Sequence, residues 1–598
     1  MNNKYWMMRG VAAAALCANL AWGGACSKDV LDSSGDVKKK DLVLDYLITF
    51  KPGTSLSTVK NQIKELRGQT LEDFDEFGVA LVRSTAKLMC QAAKSGAIDV
   101  VATNRAVRGT SDFGMAGAGV PNFPYANGST LQTNSTTGTP IGVAVIDSGI
   151  ADHLDLGLGT ASRVVARQSF VPGLAATGDG YGHGTHVAGI IAGNGARSAS
   201  EPAAFNRLHG VAPTVRLVSL KVLDANGAGS DLNVLRAVRW AIQNRTVHNI
   251  RVINLSLGRP VWESYEMDPL GRAVAAAWRH GIVVVVSAGN WGRQNVGGLN
   301  GYGTITSPGN HPAVITVGAM RHQETALRAD EFLASYSSKG PSLYDGVMKP
   351  DVVAVGNKVA SLLAPGSTLA TSPSAMRVPK GTYCNSASVC GTTPSLDYLY
   401  LSGTSMATPM VAGAAALMIQ NDASLRPAWG TAQQSFAPDV VKARIMKTAT
   451  KPSAFPASVT TTDSTGVTRT VHHNVRSMGA GYLNLTAAMS SRDLLKAGVR
   501  AASPQVRVVR GRGVRLVHPG SVYPNNILWG DNILWGDNIL WGDNILWGDN
   551  ILWGDNILWG DNILWGDNIL WGDNILWGDN ILWGDNILWG DQFLRGDQ

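Results

Sequence analysis

Three side chains suited to acid–base and nucleophilic chemistry stand in short, glycine-flanked segments far apart in the chain. They are Asp147 in "VAVIDSGI" (143–150), His183 in "GHGTHVAG" (182–189) and Ser405 in "SGTSMATPMVAG" (402–413). A serine hydroxyl is a poor nucleophile near neutral pH, and attacks a carbonyl when an adjacent imidazole takes its proton. A buried carboxylate can then hold that imidazole in one tautomer and stabilise its charged form. The local sequence suits such a set. "VAVID" is an apolar run ending in a carboxylate, which predicts a buried strand delivering Asp147 at its C-terminal end. "HGTHVAGIIAG" and "TSMATPMVAGAAALMI" predict helices whose first turns carry His183 and Ser405, with small residues permitting close backbone approach. Pro409 is expected early in its helix, where a missing N–H matters little. Taken singly, each residue has a plainer reading, as a turn former for the aspartate or a helix cap for the serine. His186 follows His183 by three positions, but "HGTH" lacks the glutamate and spacing of a zinc helix, so it reads as structural.

The order Asp, His, Ser within these segments resembles the subtilisin-like serine endopeptidases, the subtilases. The resemblance implies Ser405 as nucleophile, His183 as general base and then acid, and Asp147 as its orienter. It extends to "GIVVVVSAGN" (281–290), a strand and turn ending at Asn290. In the family this position supplies the side-chain amide of an oxyanion hole, with the backbone N–H of Ser405 as another donor. "INLSLG" (253–258) resembles one wall of the primary specificity pocket, with Ser256, Leu257 and Gly258. Gly227, Ala228 and Gly229 resemble an edge that pairs with an extended peptide. Together these imply an α/β fold, a parallel sheet flanked by helices, over roughly residues 140–487. Met410 stands where many family members carry histidine, at a position that packs behind the nucleophile. The stretch 364–400 is longer than the compact family pattern and is expected as a surface insertion near the cleft. No cofactor is implied for the chemistry. Structural calcium is implied by the family, and "ADHLDLG" places Asp155 near a ligand position. An insertion at 194–208 alters the loop that would complete that site.

Composition fits a secreted chain of several domains. Only 16% of the 598 residues are charged. Residues 1–25 have a signal-peptide layout: Lys4 and Arg9, an apolar run from Val11 to Leu20, then small residues to Ala25. Cleavage there would leave Cys26 first, as in a lipoprotein, but Gly23 replaces the leucine expected three residues earlier, so ordinary secretion is favoured. Cys384 and Cys390 are close enough to close a small disulfide loop in an oxidising compartment, or stand as free thiols. Cys26 and Cys90 are left unassigned. Residues 43–108 alternate strands and amphipathic helices in a split β-α-β pattern. This resembles the family's prosegment, which implies that the chain carries its own inhibitor, with a processing site expected within 106–120. The catalytic domain is expected over 125–490 and a basic linker over 491–525.

The tail, 526–598, repeats "NILWGD" eleven times before ending in "QFLRGDQ". Six residues advance ~600° on a helix and would scatter the tryptophans over three faces. The even period suits extended chain, and "GDN" supplies turn residues, so a stacked β-solenoid or ladder of short strands is expected, or else low-complexity sequence without a fixed fold. Two functional readings follow. One is a secreted endopeptidase acting on protein or peptide substrates. Its tail would bind cell-envelope glycan or self-associate. The other is a surface-binding or adhesive repeat protein with an incidental or inactive protease module. Nucleic acid is not an expected partner: the formal charge is +7, yet no recognition motif accompanies it.

Overall fold

The computed structural model describes residues 25–26, 42–94, 97–109, 141–295, 300–323, 330–371, 377–386, 390–431, 437–462, 467–492, 500–509 and 513–517, together with short strands of the repeat between 532 and 593. Apart from Ala25, the expected signal peptide lies outside the described residues, as do residues 110–140. No helix among the described residues is long and apolar enough to cross a membrane.

The N-terminal unit is a five-stranded sheet. Its strands are β1 (Ala25–Cys26), β2 (Val43–Phe50), β3 (Gln69–Phe74), β4 (Val79–Thr85) and β5 (Ile98–Thr103), in the order β1-β5-β2-β4-β3. Helices α1 (Leu56–Glu65) and α2 (Ala86–Lys94) bury Val59, Ile63, Met89 and Ala92 against Tyr46, Ile48 and Val82. A disulfide joins Cys26 to Cys90. Two details depart from expectation. "QTLEDF" forms an edge strand, although its acidic residues hide the alternation. The terminal strand also breaks at Asn104 and Arg105, after which Ala106–Gly109 forms a separate strand, β6, outside this sheet.

The larger unit is built on an eight-stranded sheet. Strands β7 (Gly142–Asp147), β8 (Val164–Ser169), β9 (Arg216–Lys221), β11 (Ile250–Leu255), β13 (Val283–Ser287), β14 (Ile315–Arg321) and β16 (Val352–Val355) pair in parallel; β15 (Phe332–Leu333) adds an antiparallel edge to β14. The inner strands are near-continuous Val, Ile and Leu because both faces are covered, as parallel sheets require. Helices α3 (His183–Ala192), α4 (Asp231–Gln243), α5 (Pro269–Arg279), α6 (Thr404–Asn421) and α7 (Ala437–Thr448) supply the cover. Helices α3 and α6 are apolar all round and fully buried but for α6's last residue. Pro409 is the sixth residue of α6, deeper than expected. Its missing N–H leaves the Ser405 carbonyl without the usual helical donor, and Ser256 Oγ donates to that carbonyl instead (3.0 Å).

Two expectations about boundaries are corrected. The stretch 364–400 is not merely surface loop: β17 (Val359–Leu362), β18 (Arg377–Pro379) and β19 (Pro394–Leu401) form a sheet, and Leu369, Val378, Tyr383 and Tyr398 are buried in the main core. Cys384 and Cys390 are disulfide-bonded within it. The larger unit also runs past 490. Ser503, inside the expected basic linker, is fully buried and donates to Asp351, which pairs with Lys349 and Lys442 in the interior. Buried cations need such partners, so this segment belongs to the core.

In the repeat, four-residue Gly-Asp-Asn-Ile strands pair in parallel with a twelve-residue offset, Gly542 with Gly554 and Ile545 with Ile557. Alternate strands build two separate sheets, which is solenoid pairing. "GDN" lies within strands, correcting its expected place in turns; the intervening Leu and Trp fall outside the described residues.

Candidate active site

The three motif residues converge from three elements, and all are fully buried. Asp147 ends β7, His183 opens α3 and Ser405 is the second residue of α6. Helices α3 and α6 pack against one another. The closeness depends on glycine: a Cβ on Gly184 would lie 2.1 Å from the Gly149 carbonyl oxygen and 3.1 Å from the Asp147 Cβ. His183 Nδ1 and Asp147 Oδ1 are 2.8 Å apart. The Ser148 backbone N–H and hydroxyl also donate to that oxygen (2.8 and 3.2 Å). His183 Nε2 is buried with no protein hydrogen-bond partner. Burial pushes the His183 pKa down, but the charge and hydrogen bond of Asp147, with Asp179 behind, outweigh it and raise the pKa above 6.5. The Ser405 hydroxyl donates to the Ser256 carbonyl (2.8 Å).

Sequence reasoning missed Asp179. Its carboxylate accepts from the backbone N–H groups of Gly182 (2.7 Å) and Thr185 (2.9 Å) and from the Thr185 hydroxyl (2.8 Å). It thereby satisfies the first donors of α3, the turn that carries His183. The signal was a carboxylate four residues before a Gly-flanked histidine, a spacing that also suits an ordinary loop. Thr404 was missed as well. Asn290, in the turn after β13, accepts from the Thr404 backbone N–H (3.0 Å) and hydroxyl (2.9 Å) through Oδ1. With Oδ1 held on α6, the Nδ2 end of the amide points the other way.

The segments expected to bind substrate already hold a peptide strand. Ala228–Ser230 (β10) and Leu257–Gly258 (β12) flank β6 in a three-stranded antiparallel sheet. Gly229 pairs with Val107 and Gly258 with Arg108, and Gly109 donates to the Gly227 carbonyl (3.3 Å). Ser256 contributes through its backbone to Ser405, one residue beyond the strand. A Cβ on Gly109 would stand 3.6 Å from the His183 ring. On the far side of the cleft, Gly227 has φ +69°, and a Cβ there would strike the Tyr181 ring at 2.5 Å. The N-terminal unit docks alongside through ions. Arg236 meets Glu72 (2.6 Å), Arg239 meets Glu76 (2.7 Å), and Arg272 meets Asp99 (2.9 Å) and the Phe50 carbonyl (2.6 Å).

Two other expected residues sit apart. His186 gives Nε2 to the carbonyls of Val359 (3.1 Å) and Leu399 (3.0 Å), and burial lowers its pKa to about 3. Asp155 is fully buried, and both carboxylate oxygens accept from protein donors, the Arg197 N–H (2.6 Å) and the Tyr398 hydroxyl (2.7 Å). Burial raises its pKa. Arg163 donates to its carbonyl (2.5 Å). Donors and cations therefore surround Asp155, and among the described residues no three His, Cys, Asp or Glu gather to hold a metal. Each Asp155 carboxylate oxygen is thus already engaged by a protein donor, which competes with a cation for that group. The altered 194–208 loop is the physical reason, because it brings Arg197 to the carboxylate.

The sequence profile described as the subtilase family matches residues 138–481. Serine protease AprX of Bacillus subtilis (strain 168) is 37% identical over 306 residues, half of this chain and 60% of AprX. Subtilisin DY of Bacillus licheniformis is 35% identical over 298 residues, half of this chain and 83% of that protein. Among solved structures, fervidolysin from Fervidobacterium pennivorans, described as a keratinolytic enzyme related to subtilisin, aligns with a TM-score of 0.50 at 20% identity. That alignment covers 84% of this chain and 71% of fervidolysin, and speaks for the fold.

Proposed function

The chain belongs to the subtilase family of subtilisin-like serine proteases, and on that premise we propose that it is a secreted endopeptidase cutting peptide bonds through Asp147, His183 and Ser405. One observation carries the reading: the buried 2.8 Å contact between Asp147 and His183 leaves Nε2 as a buried nitrogen without a protein partner. A carboxylate on Nδ1 fixes the tautomer with Nε2 unprotonated, ready to accept. In this mechanism the Ser405 hydroxyl turns from the Ser256 carbonyl to Nε2 and surrenders its proton as Oγ attacks the scissile carbonyl. The developing oxyanion takes hydrogen bonds from Asn290 Nδ2 and the Ser405 backbone N–H. Imidazolium then protonates the leaving amine, and water hydrolyses the acyl-enzyme by the reverse proton path.

The prosegment is read as an inhibitor held at two places. Strand β6 lies in the cleft in the manner of a substrate, and the sheet behind it is tied to α4 and α5 by the ion pairs of Glu72, Glu76 and Asp99. The repeat tail is read as a retention device, on cell-envelope glycan or on other copies of itself, since parallel in-register strands can extend by adding further chains. Purified full-length protein is tested on casein beside Ser405→Ala. Hydrolysis by the wild type alone supports the assignment, and equal hydrolysis by both removes it.

A further inference from the structure

Just upstream of the cleft strand, the chain makes contacts that none of the family motifs accounts for. Between β5 and β6, Asn104 and Arg105 lie across the N-terminus of α4. Asn104 Oδ1 accepts from the Leu232 N–H (3.0 Å), and the Arg105 carbonyl accepts from the Asp231 N–H (2.8 Å). The backbone is thus fixed one residue beyond the last paired residue, Ala106, and the Asn104 side chain adds a contact one residue further on. The Arg105 side chain then turns inward. Its Nη1 lies 2.5 Å from Glu263 Oε1, and its guanidinium carbon lies 5.8 Å from the Trp262 ring centre. Arg105 and Glu263 are each only 8% exposed, and Trp262 is half-buried.

The surroundings explain why a cation goes there. Arg259 is fully paired, by two bonds to Asp231 (2.9 and 3.0 Å) and one to Asp268 (2.7 Å), and stands 3.8 Å from Glu263. Three buried carboxylates of the catalytic unit therefore share one guanidinium of that unit, and the balance is negative. Glu263 Oε2 is buried and has no hydrogen-bond partner of its own. Arg105 supplies the second positive charge, and the Trp262 ring offers its face to a cation. A buried carboxylate with spare acceptor capacity, an aromatic wall and a negative balance make a recognition site with a defined charge preference. The neighbouring residues of the same strand behave differently. Val107 is fully buried, whereas Ala106 and Arg108 face outward.

We propose that Glu263 and Trp262 form a cation-selecting subsite that reads an arginine or lysine two residues upstream of the buried apolar residue of the bound chain. The proposal rests on the endopeptidase reading and names a substrate class for it: extended polypeptides carrying a basic residue, one spacer residue and then a buried aliphatic. The prosegment, with Arg105-Ala106-Val107, is the first ligand of that class. Because the position lies four residues before Gly109, where an added Cβ would stand 3.6 Å from the His183 ring, the subsite selects substrates far from the reacting bond. It acts on capture of the chain more than on the chemical step.

The test uses processed wild-type enzyme and quenched fluorescent peptides spanning residues 103–113. One carries the natural arginine at position 105; the others carry Ala, Lys or Glu there. A fifth carries Ala at 108, where the side chain faces solvent. The expected order of kcat/KM is Arg, then Lys, then Ala, then Glu, with at least about tenfold between Arg and Ala expressed in KM. Replacement at 108 changes the value less than threefold. For any peptide that resists cleavage, its Ki against casein hydrolysis gives the same ratio. Glu263→Gln is expected to bring the Arg-to-Ala ratio near one, and Glu263→Arg to reverse the preference toward Glu. Equal use of the Arg and Ala peptides by wild-type enzyme overturns the subsite, as does an unchanged ratio in Glu263→Gln. Casein hydrolysis by the same preparation separates the two claims. Intact casein removes the endopeptidase reading, and peptide binding read by fluorescence anisotropy still decides the subsite. Casein cleaved without peptide preference removes the subsite alone.

Discussion

Replacing Thr404 by valine isolates how the Asn290 amide, the proposed oxyanion donor, is aimed. The side chain is fully buried, and valine keeps its shape while removing the hydroxyl. Two bonds disappear: the one to Asn290 Oδ1 (2.9 Å) and the one accepted from the Gly289 N–H (3.2 Å). The backbone N–H of residue 404 still holds Oδ1 (3.0 Å), so the amide is loosened and not released. Losing one neutral hydrogen bond is worth about 0.5–1.5 kcal/mol. At 1.36 kcal/mol per tenfold in rate, kcat falls about 2- to 13-fold with KM little changed. Asn290→Ala removes the donor itself and should cost ~10²–10³ in kcat, a magnitude that comes from subtilisin and so from this family. The unpaired Gly289 N–H adds a stability loss of about 1–3 kcal/mol, read separately as a lower urea midpoint. Thr404→Ser keeps the hydroxyl and should recover most of kcat. Steady-state kinetics on one peptide decides the matter. A valine variant with wild-type kcat and a lowered urea midpoint would show that Thr404 is structural only, and a serine variant as slow as valine would refute the role of the hydroxyl.

Three further outcomes are expected. Because His183 is held above 6.5 and only the neutral imidazole accepts a proton, kcat/KM should be full at high pH and fall as pH drops through that raised value. Asp147→Asn, besides slowing the enzyme, should move this limb to lower pH, since burial then acts unopposed by its charge; a pH–rate profile with the limb unmoved contradicts the electrostatic account. Arg272→Ala removes the donor to Asp99 and to the Phe50 carbonyl at a site less than one-fifth exposed. Charged hydrogen bonds of this kind are worth about 1.5–3 kcal/mol, so the N-terminal unit, read as the prosegment, should bind ~13- to 160-fold more weakly and the lag before full activity should shorten. An unchanged lag argues against the latch. Truncation after Pro524 should leave casein hydrolysis intact and abolish envelope binding or assembly, read by pull-down and sedimentation; unchanged binding and size would refute the retention role.

The three candidate residues and the sheet were legible because their constraints are local. An apolar run ending in aspartate, and glycines where helices meet strand ends, leave few alternatives. What escaped were contacts whose partners lie far apart in sequence. Asp179 reads as a loop residue until α3 is seen to begin beside it, and Thr404 reads as a helix-start residue until Asn290 arrives from 114 positions away. Strand β3 was hidden because Glu72 and Asp73 break the apolar alternation, and they do so because Arg236 and Arg239 pair with Glu72 and Lys60 pairs with Asp73. The 364–400 stretch was misjudged by its Ser, Thr and Pro content; a few buried residues, Tyr383 and Tyr398 among them, suffice to fold it onto the core. The surroundings of Asp155 were hidden for a similar reason. Asp155 was recognised, but the Arg197 and Tyr398 donors that occupy it come from two insertions whose course no motif records.

The most direct test is covalent labelling by a serine-directed sulfonyl fluoride, followed by peptide mass mapping. If Asp147, His183 and Ser405 act as one unit, wild-type enzyme incorporates one label, located on Ser405, and loses casein hydrolysis in proportion. His183→Ala then labels far more slowly although Ser405 remains. Label on another serine, or equal labelling of Ser405 with and without His183, contradicts the account.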